Sequence, residues 1–323
     1  MIGSDAFVSA GSADRAVALG YFDGVHAGHR AILEKLCYEA RARHLTATVQ
    51  TFSQIPKSKR DDSSESSLGV LTTTDEKCAY FALSGVDEAV LFPFTDHLAH
   101  MEPEIFLDSC LRDLLHARVI VAGEDYRFGR DRKGDMNLLR FWGEKNGVEV
   151  FTLPQLCFDD LVISATAIKT MVREGDVKRA NKLLGYPLSY QGIVQEGRKI
   201  GRTLGFPTAN VPIEDGKIIP AFGVYASLLH TRDGIFPSIT SIGVRPTVNK
   251  TGEGVLIETS MFDRNMDLYG QPVRVYLLSY IRGEQQFKNV EILKEQVFLD
   301  MQKVRQYHGR HSYEYSILLP GVV

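Results

Sequence analysis

The sequence of 323 residues has little cysteine, no excess of either charge and no long apolar run. Its four cysteines are widely spaced and none stands in a C-x-x-C pair, which argues against a zinc site or a disulfide framework. No apolar run approaches the roughly 18 residues that a bilayer-spanning helix needs. The N-terminus lacks the basic and apolar regions of a secretory signal. We therefore predict a cytoplasmic protein without membrane association.

The charges nearly cancel, because 37 Lys and Arg residues stand against 40 Asp and Glu residues, for a net charge of -3. This balance argues against a protein that holds nucleic acid through a basic surface, and we predict no nucleic-acid partner. Hydrophobic residues make up 44% of the chain, which is enough for two cores. The length also predicts two domains, since one domain usually takes about 100–200 residues.

The first half of the chain alternates between strand-like and helix-like segments. Repeated β-α-β units of this kind predict a parallel sheet covered by helices, with ligands bound beyond the C-terminal strand ends. A polar stretch at residues 53–69 reads as a surface loop, and residues 164–184 as two helices broken at Gly175. The predicted strands are 16–22, 45–52, 89–92, 118–122 and 148–153, and the predicted helices are 29–43, 75–84, 103–116 and 137–146.

The pattern of residue types changes after residue 190, where short β-rich runs are separated by Gly, Pro, Asn and Asp. Such a pattern predicts an antiparallel barrel. A helix with apolar residues on one side follows at residues 290–306. The predicted barrel strands are 191–195, 223–230, 238–244, 255–262 and 273–280.

The first motif with chemical meaning is GYFDGVHAGH at residues 20–29, between a predicted strand and a predicted helix. His26 and His29 are three residues apart, so both imidazoles can face one side at the helix entrance. A helix N-terminus favours phosphate, and imidazoles there can stabilise charge on an α-phosphate. The alternatives are a surface pair without function and a metal pair. Further candidate nucleotide ligands are Gly20, Phe22, Asp23 and Gly24.

The second motif, VAGEDYRFGRDRKG at residues 121–134, also follows a predicted strand. It places Asp125 and two aromatic residues in a loop at a strand's C-terminal end, together with several basic side chains. The alternative is a charged surface loop without function, which would have the same residue types. We take Asp125 as a candidate nucleotide ligand because this loop accompanies the first motif.

The third motif, ISATAIK at residues 163–169, has two readings. Ser164 or Thr166 can cap the helix that follows, which is a structural role. Alternatively, these hydroxyls and Lys169 bind the β- and γ-phosphates of ATP.

The fourth motif, GRKIGRTLGFPTANV at residues 197–211, is a glycine-rich loop that includes Gly201. Thr208 and Asn210 offer the hard oxygen ligands that Mg²⁺ and phosphate sites use. It is not a Walker A loop, because the GK[ST] ending is absent. The alternative is a Gly/Pro-rich hairpin.

A single carboxylate, Glu258, stands in the strongly β-forming run VLIETSMF at residues 255–262. It is either a residue that faces the surface or a positioned base. For phosphoryl transfer to an alcohol, one carboxylate that accepts the hydroxyl proton is the expected part.

Taken together, GYFDGVHAGH, GEDYRFG, ISAT, GRTLGFPTAN, IGVRPT and the segment from Glu258 to DLYG resemble the bifunctional riboflavin kinase/FMN adenylyltransferases, or prokaryotic FAD synthetases. The resemblance implies a Rossmann-like nucleotidyltransferase domain with a parallel sheet at residues 1–186. It implies a small antiparallel β-barrel of the riboflavin kinase type, with a terminal helix, at residues 187–323.

For the first domain the resemblance implies transfer of AMP from ATP to FMN, which gives FAD and pyrophosphate. His26 and His29 would stabilise the transferring α-phosphate, and Asp125 would help to shape the nucleotide and flavin site. The residues implied for the outer phosphates of ATP are Ser164, Thr166 and Lys169.

For the second domain it implies transfer of the γ-phosphate of ATP to the 5′-hydroxyl of riboflavin, which gives FMN. Thr208 and Asn210 would bind Mg²⁺ with ATP, and Glu258 would be the base. The small molecules implied are riboflavin, FMN and ATP. Whether copies of the chain form a homo-oligomer is left open.

The sequence departs from the family in the first domain. The usual T-F-x-P-H-P reads TFSQIP at residues 51–56, and the usual I-S-S-T-R-I-R reads ISATAIK at residues 163–169. Lys169 keeps a positive charge but lacks the planar fork of arginine. One alternative is therefore a riboflavin kinase with a weak or inactive adenylyltransferase module. A second alternative is a noncatalytic protein that binds flavin or nucleotide.

Overall fold

A computed structural model describes residues 13–53, 69–196, 207–244, 254–264 and 266–311. Nearly all of the predicted loop at residues 53–69 lies outside these ranges, as does Gly201. The described chain divides into two compact units. The first extends to Ala165, and the second begins at Thr166 and also includes residues 69–71.

The first unit is built on a five-stranded sheet in which every neighbouring pair is parallel, in the order β3-β2-β1-β4-β5. Its central strand β1 is buried along its whole length, and Ala18 pairs with Val49 and with Val121. The predicted parallel sheet is confirmed. The strands are β1 (Arg15–Leu19), β2 (Thr46–Phe52), β3 (Glu88–Phe92), β4 (Ala117–Gly123) and β5 (Glu149–Leu153).

Four helices of this unit follow the predicted pattern. The first presents Ile32, Leu33 and Leu36 to the interior, as the periodicity of its apolar residues requires. The second begins with a capping box between Thr73 and Glu76. The helices are α1 (Ala27–Arg43), α2 (Thr74–Leu83), α3 (Pro103–Ile105, continued by the π-helical stretch Phe106–Leu114) and α4 (Met136–Asn146).

The strand order places a topological switch point between β1 and β4. The chain moves from β1 to β2 and β3 on one side and then returns to β4 and β5 on the other. The loops after these two strands therefore diverge and leave a crevice at the carboxyl edge of the sheet. The motifs that contain His26 and Asp125 follow β1 and β4, respectively.

A short hairpin of β6 (Cys157–Phe158) and β7 (Leu161–Val162), absent from the sequence-based prediction, ends the first unit. Two helices follow, α5 (Ala165–Glu174) and α6 (Val177–Leu184). They are broken at Gly175, whose φ of 87° favours glycine, and Asp176 caps α6 by accepting the Arg179 N–H. The predicted helical pair is confirmed.

The second unit contains a six-stranded antiparallel sheet in the order β8-β13-β10-β11-β12-β9. The two ends of this order meet where the Gln195 N–H donates to the Asn210 carbonyl at 2.9 Å, so the sheet is a nearly closed barrel, as predicted. The strands are β8 (Ser189–Ile193), β9 (Ala209–Pro212), β10 (Gly223–Thr231), β11 (Gly234–Val244), β12 (Val255–Met261) and β13 (Pro272–Gly283).

The terminal helix α7 (Val290–Gly309) packs on the outside of the barrel through Val304, which is fully buried. Asp300 is buried, and its Oδ2 accepts from both Arg282 Nε at 2.9 Å and Arg282 Nη2 at 2.7 Å, so an ion pair ties α7 to β13. None of the helices in the described ranges is long and apolar enough to cross a membrane.

Candidate active sites

The two histidines of the first motif stack at the N-terminus of α1. Their ring centroids are 3.7 Å apart, with 17° between the planes. His26 caps the helix, since its Nδ1 accepts the backbone N–H of His29 at 3.4 Å. A neutral His26 that accepts through Nδ1 carries its proton on Nε2. The predicted placement of both imidazoles on one side is confirmed.

The turn before α1 is tightly constrained. Phe22 and Gly24 have φ angles of 55° and 78°, which lie in the left-handed region. The Phe22 ring is buried and lies 5.1 Å from the His29 ring. A methyl group on Gly20 would come within 3.0 Å of the Phe22 ring, so glycine allows this aromatic packing. The Gly24 N–H donates to Thr72 Oγ1 at 2.9 Å.

Burial lowers the pKa of His26 to about 4, although nearby Asp23 opposes the shift. Burial, the His26 ring and the Lys77 ammonium hold the pKa of His29 well below its usual value. Both imidazoles are therefore neutral at pH 7 and present one N–H each. His29 Nδ1 is buried and has no hydrogen-bond partner among the described residues.

Asp125 follows β4 and is close enough to His26 to raise that residue's pKa slightly. Its Oδ2 accepts a hydrogen bond from Gln155 Nε2 at 3.1 Å, and the side chain is otherwise exposed. A methyl group on Gly123 would lie 2.9 Å from Asp125 Oδ1, so glycine is needed for this approach. The structure thus brings Asp125 and the histidine pair to the same switch point.

The basic side chains of the second motif are largely engaged at the surface. Arg127 forms an ion pair with Asp135 at 3.3 Å, and Arg130 pairs with Glu102 at 3.5 Å. Sequence reasoning did not single out Thr72, which holds the turn before α1. Its spacing from the first motif gave no signal, because the contact depends on the tertiary structure.

The third motif opens α5. Ser164 immediately precedes the helix and Thr166 is its second residue, whereas Lys169, one turn later, is buried. The Thr166 carbonyl accepts a hydrogen bond from Thr170 Oγ1 at 3.2 Å. The two hydroxyl residues therefore stand at a helix start, as both readings of the motif require.

In the barrel, the strand pairing sets Glu258 of β12 directly opposite Asn210 of β9 on one side and Ser241 of β11 on the other. Directly opposed residues project to the same face of a sheet. Glu258 is exposed and Asn210 is buried. The two predicted site residues are therefore neighbours, although 48 positions separate them in the sequence.

Thr208 lies two residues before Asn210 and lines a concave pocket of the second unit. Its walls combine apolar side chains with polar groups, among them the buried hydroxyl of Thr259. That hydroxyl belongs to a chain that runs inside the barrel through Thr240 and Ser227. The other residues of the pocket are Val194, Pro207, Ala209, Leu229, Met261, Arg264, Met266, Leu268 and Tyr269.

These features define the class of the molecule: a parallel α/β nucleotide-binding unit with paired imidazoles at its switch point, followed by a small barrel with a carboxylate and oxygen ligands on adjacent strands. Comparison with known proteins agrees. Residues 9–167 match the family model described as FAD synthetase, and residues 184–308 match the model described as riboflavin kinase. The chain belongs to the family of bifunctional riboflavin kinase/FMN adenylyltransferases.

Individual relatives show the same extent of similarity. The bifunctional riboflavin kinase/FMN adenylyltransferase of Escherichia coli (strain K12) is 35% identical over 294 residues, which is 91% of this chain and 92% of the relative. The protein of that name from Bacillus subtilis (strain 168) is 33% identical over 293 residues. A crystal structure described as a macrolide-efflux protein from Streptococcus pneumoniae matches with a TM-score of 0.81 and 33% identity, over 91% of this chain and 94% of that one.

Proposed function

We propose that this enzyme phosphorylates riboflavin to FMN with ATP in its barrel and adenylylates FMN to FAD in its parallel-sheet unit. Apart from Ser241, where the family often has asparagine, the departures from the family pattern lie in the unit that carries the second of these activities. The stacked, neutral pair of His26 and His29 at a helix N-terminus carries that half of the proposal. The stacking of the two imidazoles at the start of α1 supports phosphate recognition there, although the sequence departs from the family at residues 53–56 and 165–169.

In adenylyl transfer, a phosphate oxygen of FMN attacks the α-phosphorus of ATP. The bond from that phosphorus to the oxygen bridging the α- and β-phosphates breaks, and pyrophosphate leaves. His26 donates its Nε2–H to a non-bridging oxygen as negative charge develops there, and His29 donates beside it. Gly20 and Gly24 let the nucleotide approach the backbone, with Phe22 and Asp23 shaping the turn.

The remaining assignments in this half follow the family resemblance. Asp125 contributes to the nucleotide and flavin site from the loop after β4. Ser164, Thr166 and Lys169 hold the outer phosphates of ATP. Pyrophosphate is a charged leaving group, so cationic and hydroxyl contacts to it lower the barrier.

In the kinase reaction, Glu258 accepts the proton of the 5′-hydroxyl of riboflavin. The hydroxyl oxygen attacks the γ-phosphorus, and ADP leaves. Thr208 and Asn210 offer a hydroxyl and an amide oxygen, hard oxygen ligands that would suit Mg²⁺ bound with ATP. When bound there, Mg²⁺ would neutralise phosphate charge. Among the described residues, no group of three or more His, Cys, Asp or Glu side chains could hold a metal.

We also propose a cytoplasmic location and a functional boundary near residue 186. The four cysteines are free, and two of them, Cys37 and Cys110, are buried thiols, which suits a reducing compartment. The two family models leave residues 168–183 between them. That interval contains most of α5 and α6. We propose no nucleic-acid partner.

The proposal is tested by product analysis with two variants that control for each other. Glu258→Gln should lower FMN formation from riboflavin by about a hundredfold or more, since it removes the base. It should leave FAD formation from added FMN unchanged. His26→Gln should do the reverse, with a loss of about a hundredfold in adenylyl transfer. Glu295→Gln, which changes an exposed carboxylate on α7, should affect neither reaction.

The outcomes separate the alternatives. If the unaltered enzyme makes FMN but converts no added FMN to FAD, the first unit is inactive and only the kinase half stands. If it makes neither product, the chain binds flavin or nucleotide without catalysis. If Glu258→Gln keeps full kinase activity, the assigned base is wrong.

A further inference from the structure

Lys77 of α2 is a buried cation for which the sequence motifs supply no role. Its side chain is 2% exposed, and no carboxylate among the described residues forms an ion pair with it. Instead, its Nζ donates to the carbonyls of Tyr21, at 3.3 Å, and Phe52, at 3.2 Å. The ammonium also lies 4.5 Å from the centroid of the Tyr21 ring. Burial of a lysine is costly, so its retention calls for a specific role.

The two carbonyls mark the carboxyl ends of neighbouring strands. Tyr21 comes two residues after β1, and Phe52 is the last residue of β2. The Tyr21 carbonyl also accepts a hydrogen bond from Thr51 Oγ1 at 2.9 Å. A single ammonium therefore joins two strand ends directly below the turn that leads to His26.

Helix α2 and the segment before it contact the turn through further residues. The Thr72 N–H donates to Asp23 Oδ1 at 3.2 Å, and the Phe81 ring meets the Phe22 ring edge-on, with centroids 5.5 Å apart. Phe22 in turn packs on His29. The residues from Thr72 to Phe81 thus form a clamp on the turn.

The turn needs such a clamp because its backbone is strained. Phe22 and Val25 have φ angles of 55° and 34°, in the left-handed region that is unfavourable for a non-glycine residue. Strained backbone persists only where surrounding contacts over-determine it. The stacked histidines follow within four residues of this strain, so a relaxed turn would displace them.

We propose that Lys77 is a positioning residue for adenylyl transfer: its ammonium joins the ends of β1 and β2 and so holds the strained turn that sets His26 and His29. The inference rests on the proposed adenylyl transfer. The charged groups around the histidine pair are Asp23, Arg30, Lys77 and Asp125. Lys77 joins the two strand ends and disfavours protonation of His29. Arg30 also disfavours that protonation, and its Nη1 donates to the Val25 carbonyl of the turn at 3.2 Å.

The test replaces Lys77 by methionine, which keeps the length of the stem but removes the charge and its hydrogen bonds. FMN adenylylation should fall about tenfold to a hundredfold in kcat, as expected for misplaced catalytic groups. Riboflavin phosphorylation should not change. The matched control is Lys145→Met, because Lys145 also lies over an aromatic ring, that of Phe141, but is exposed. This control should leave both reactions unchanged.

A second readout separates positioning from a merely structural role. NMR titration should show a higher pKa for His29 in Lys77→Met than in the unaltered protein, because a nearby positive charge is gone. An unchanged adenylylation rate overturns the inference. The inference is also overturned if the rate falls only because the first unit unfolds. Trp142 fluorescence would show this as unfolding that parallels the loss of rate in both Lys77→Met and the milder Lys77→Gln.

The titration also distinguishes a failure of this inference from a failure of the proposed function. If the unaltered protein shows no adenylyl transfer, the proposed function fails, but the histidine resonances still report on Lys77. An identical His29 titration and identical ring resonances in the two proteins would then overturn the role of Lys77 by themselves.

Discussion

The first unit should lose stability in mild acid through His26. The pKa of His26 is lowered from 6.5 to about 4 in the folded protein, mainly by burial. Between these values the unfolded chain binds a proton that the folded chain does not, so stability falls as the pH falls. The same imidazole must stay unprotonated at Nδ1 to accept the His29 N–H. The loss of stability attributable to His26 is about 2.5 kcal/mol at pH 4.5 and about 3 kcal/mol below pH 4.

The measurement is urea unfolding followed by the fluorescence of Trp142, the one tryptophan of the chain. This residue is buried in α4 and donates to Asp108 Oδ1 at 2.9 Å, so it reports on the first unit alone. His26→Gln removes the titrating group and serves as the comparison. From pH 7 to pH 4.5 the unaltered protein should lose about 2.5 kcal/mol more than this variant. A parallel loss in the two proteins, or a His26 resonance that titrates near 6.5, would refute the reasoning.

Two further predictions concern single contacts. Asp300→Ala should lower the free energy of unfolding of the barrel by about 3 kcal/mol, because it leaves Arg282 partly buried without its partner; thermal unfolding measures this. Asp263→Ala, which breaks an exposed ion pair, should cost less than about 1 kcal/mol, and equal losses would contradict the argument. Gly123→Ala should slow FMN adenylylation several-fold without affecting riboflavin phosphorylation, since its methyl group would press on Asp125. Steady-state rates for both reactions check this, and an unchanged adenylylation rate would count against a role for Asp125.

Local periodicity was sufficient to predict most of the helices and strands. The apolar spacing that predicted a helix at residues 29–43 matches α1, where Leu33 and Leu36 are fully buried. The β-branched run at residues 45–52 matches β2. These segments are long and strongly patterned, so their conformation follows from which face must be buried.

Short elements escaped the same reasoning. Strand β9 overlaps the end of the stretch at residues 197–211 that was interpreted as a glycine-rich loop, and it is only four residues long. Val211 is buried there because β9 pairs with β12, placing Val211 opposite Ile257. Strand β8 begins two residues earlier than predicted, since its register is set by pairing with β13. Pairing partners of this kind cannot be read from a local pattern.

The sequence by itself determined the two-unit architecture, the order of the longer strands and helices and the candidate residues His26, His29, Asn210 and Glu258. It could do so because motifs and periodicity are local properties of the chain. Only the tertiary structure decided that Glu258 faces Asn210, that the two imidazoles are buried and neutral, and that Thr72 and Lys77 hold the turn beneath them. These relations depend on which strands become neighbours and how deeply a side chain is buried. Both are fixed only when distant segments pack together.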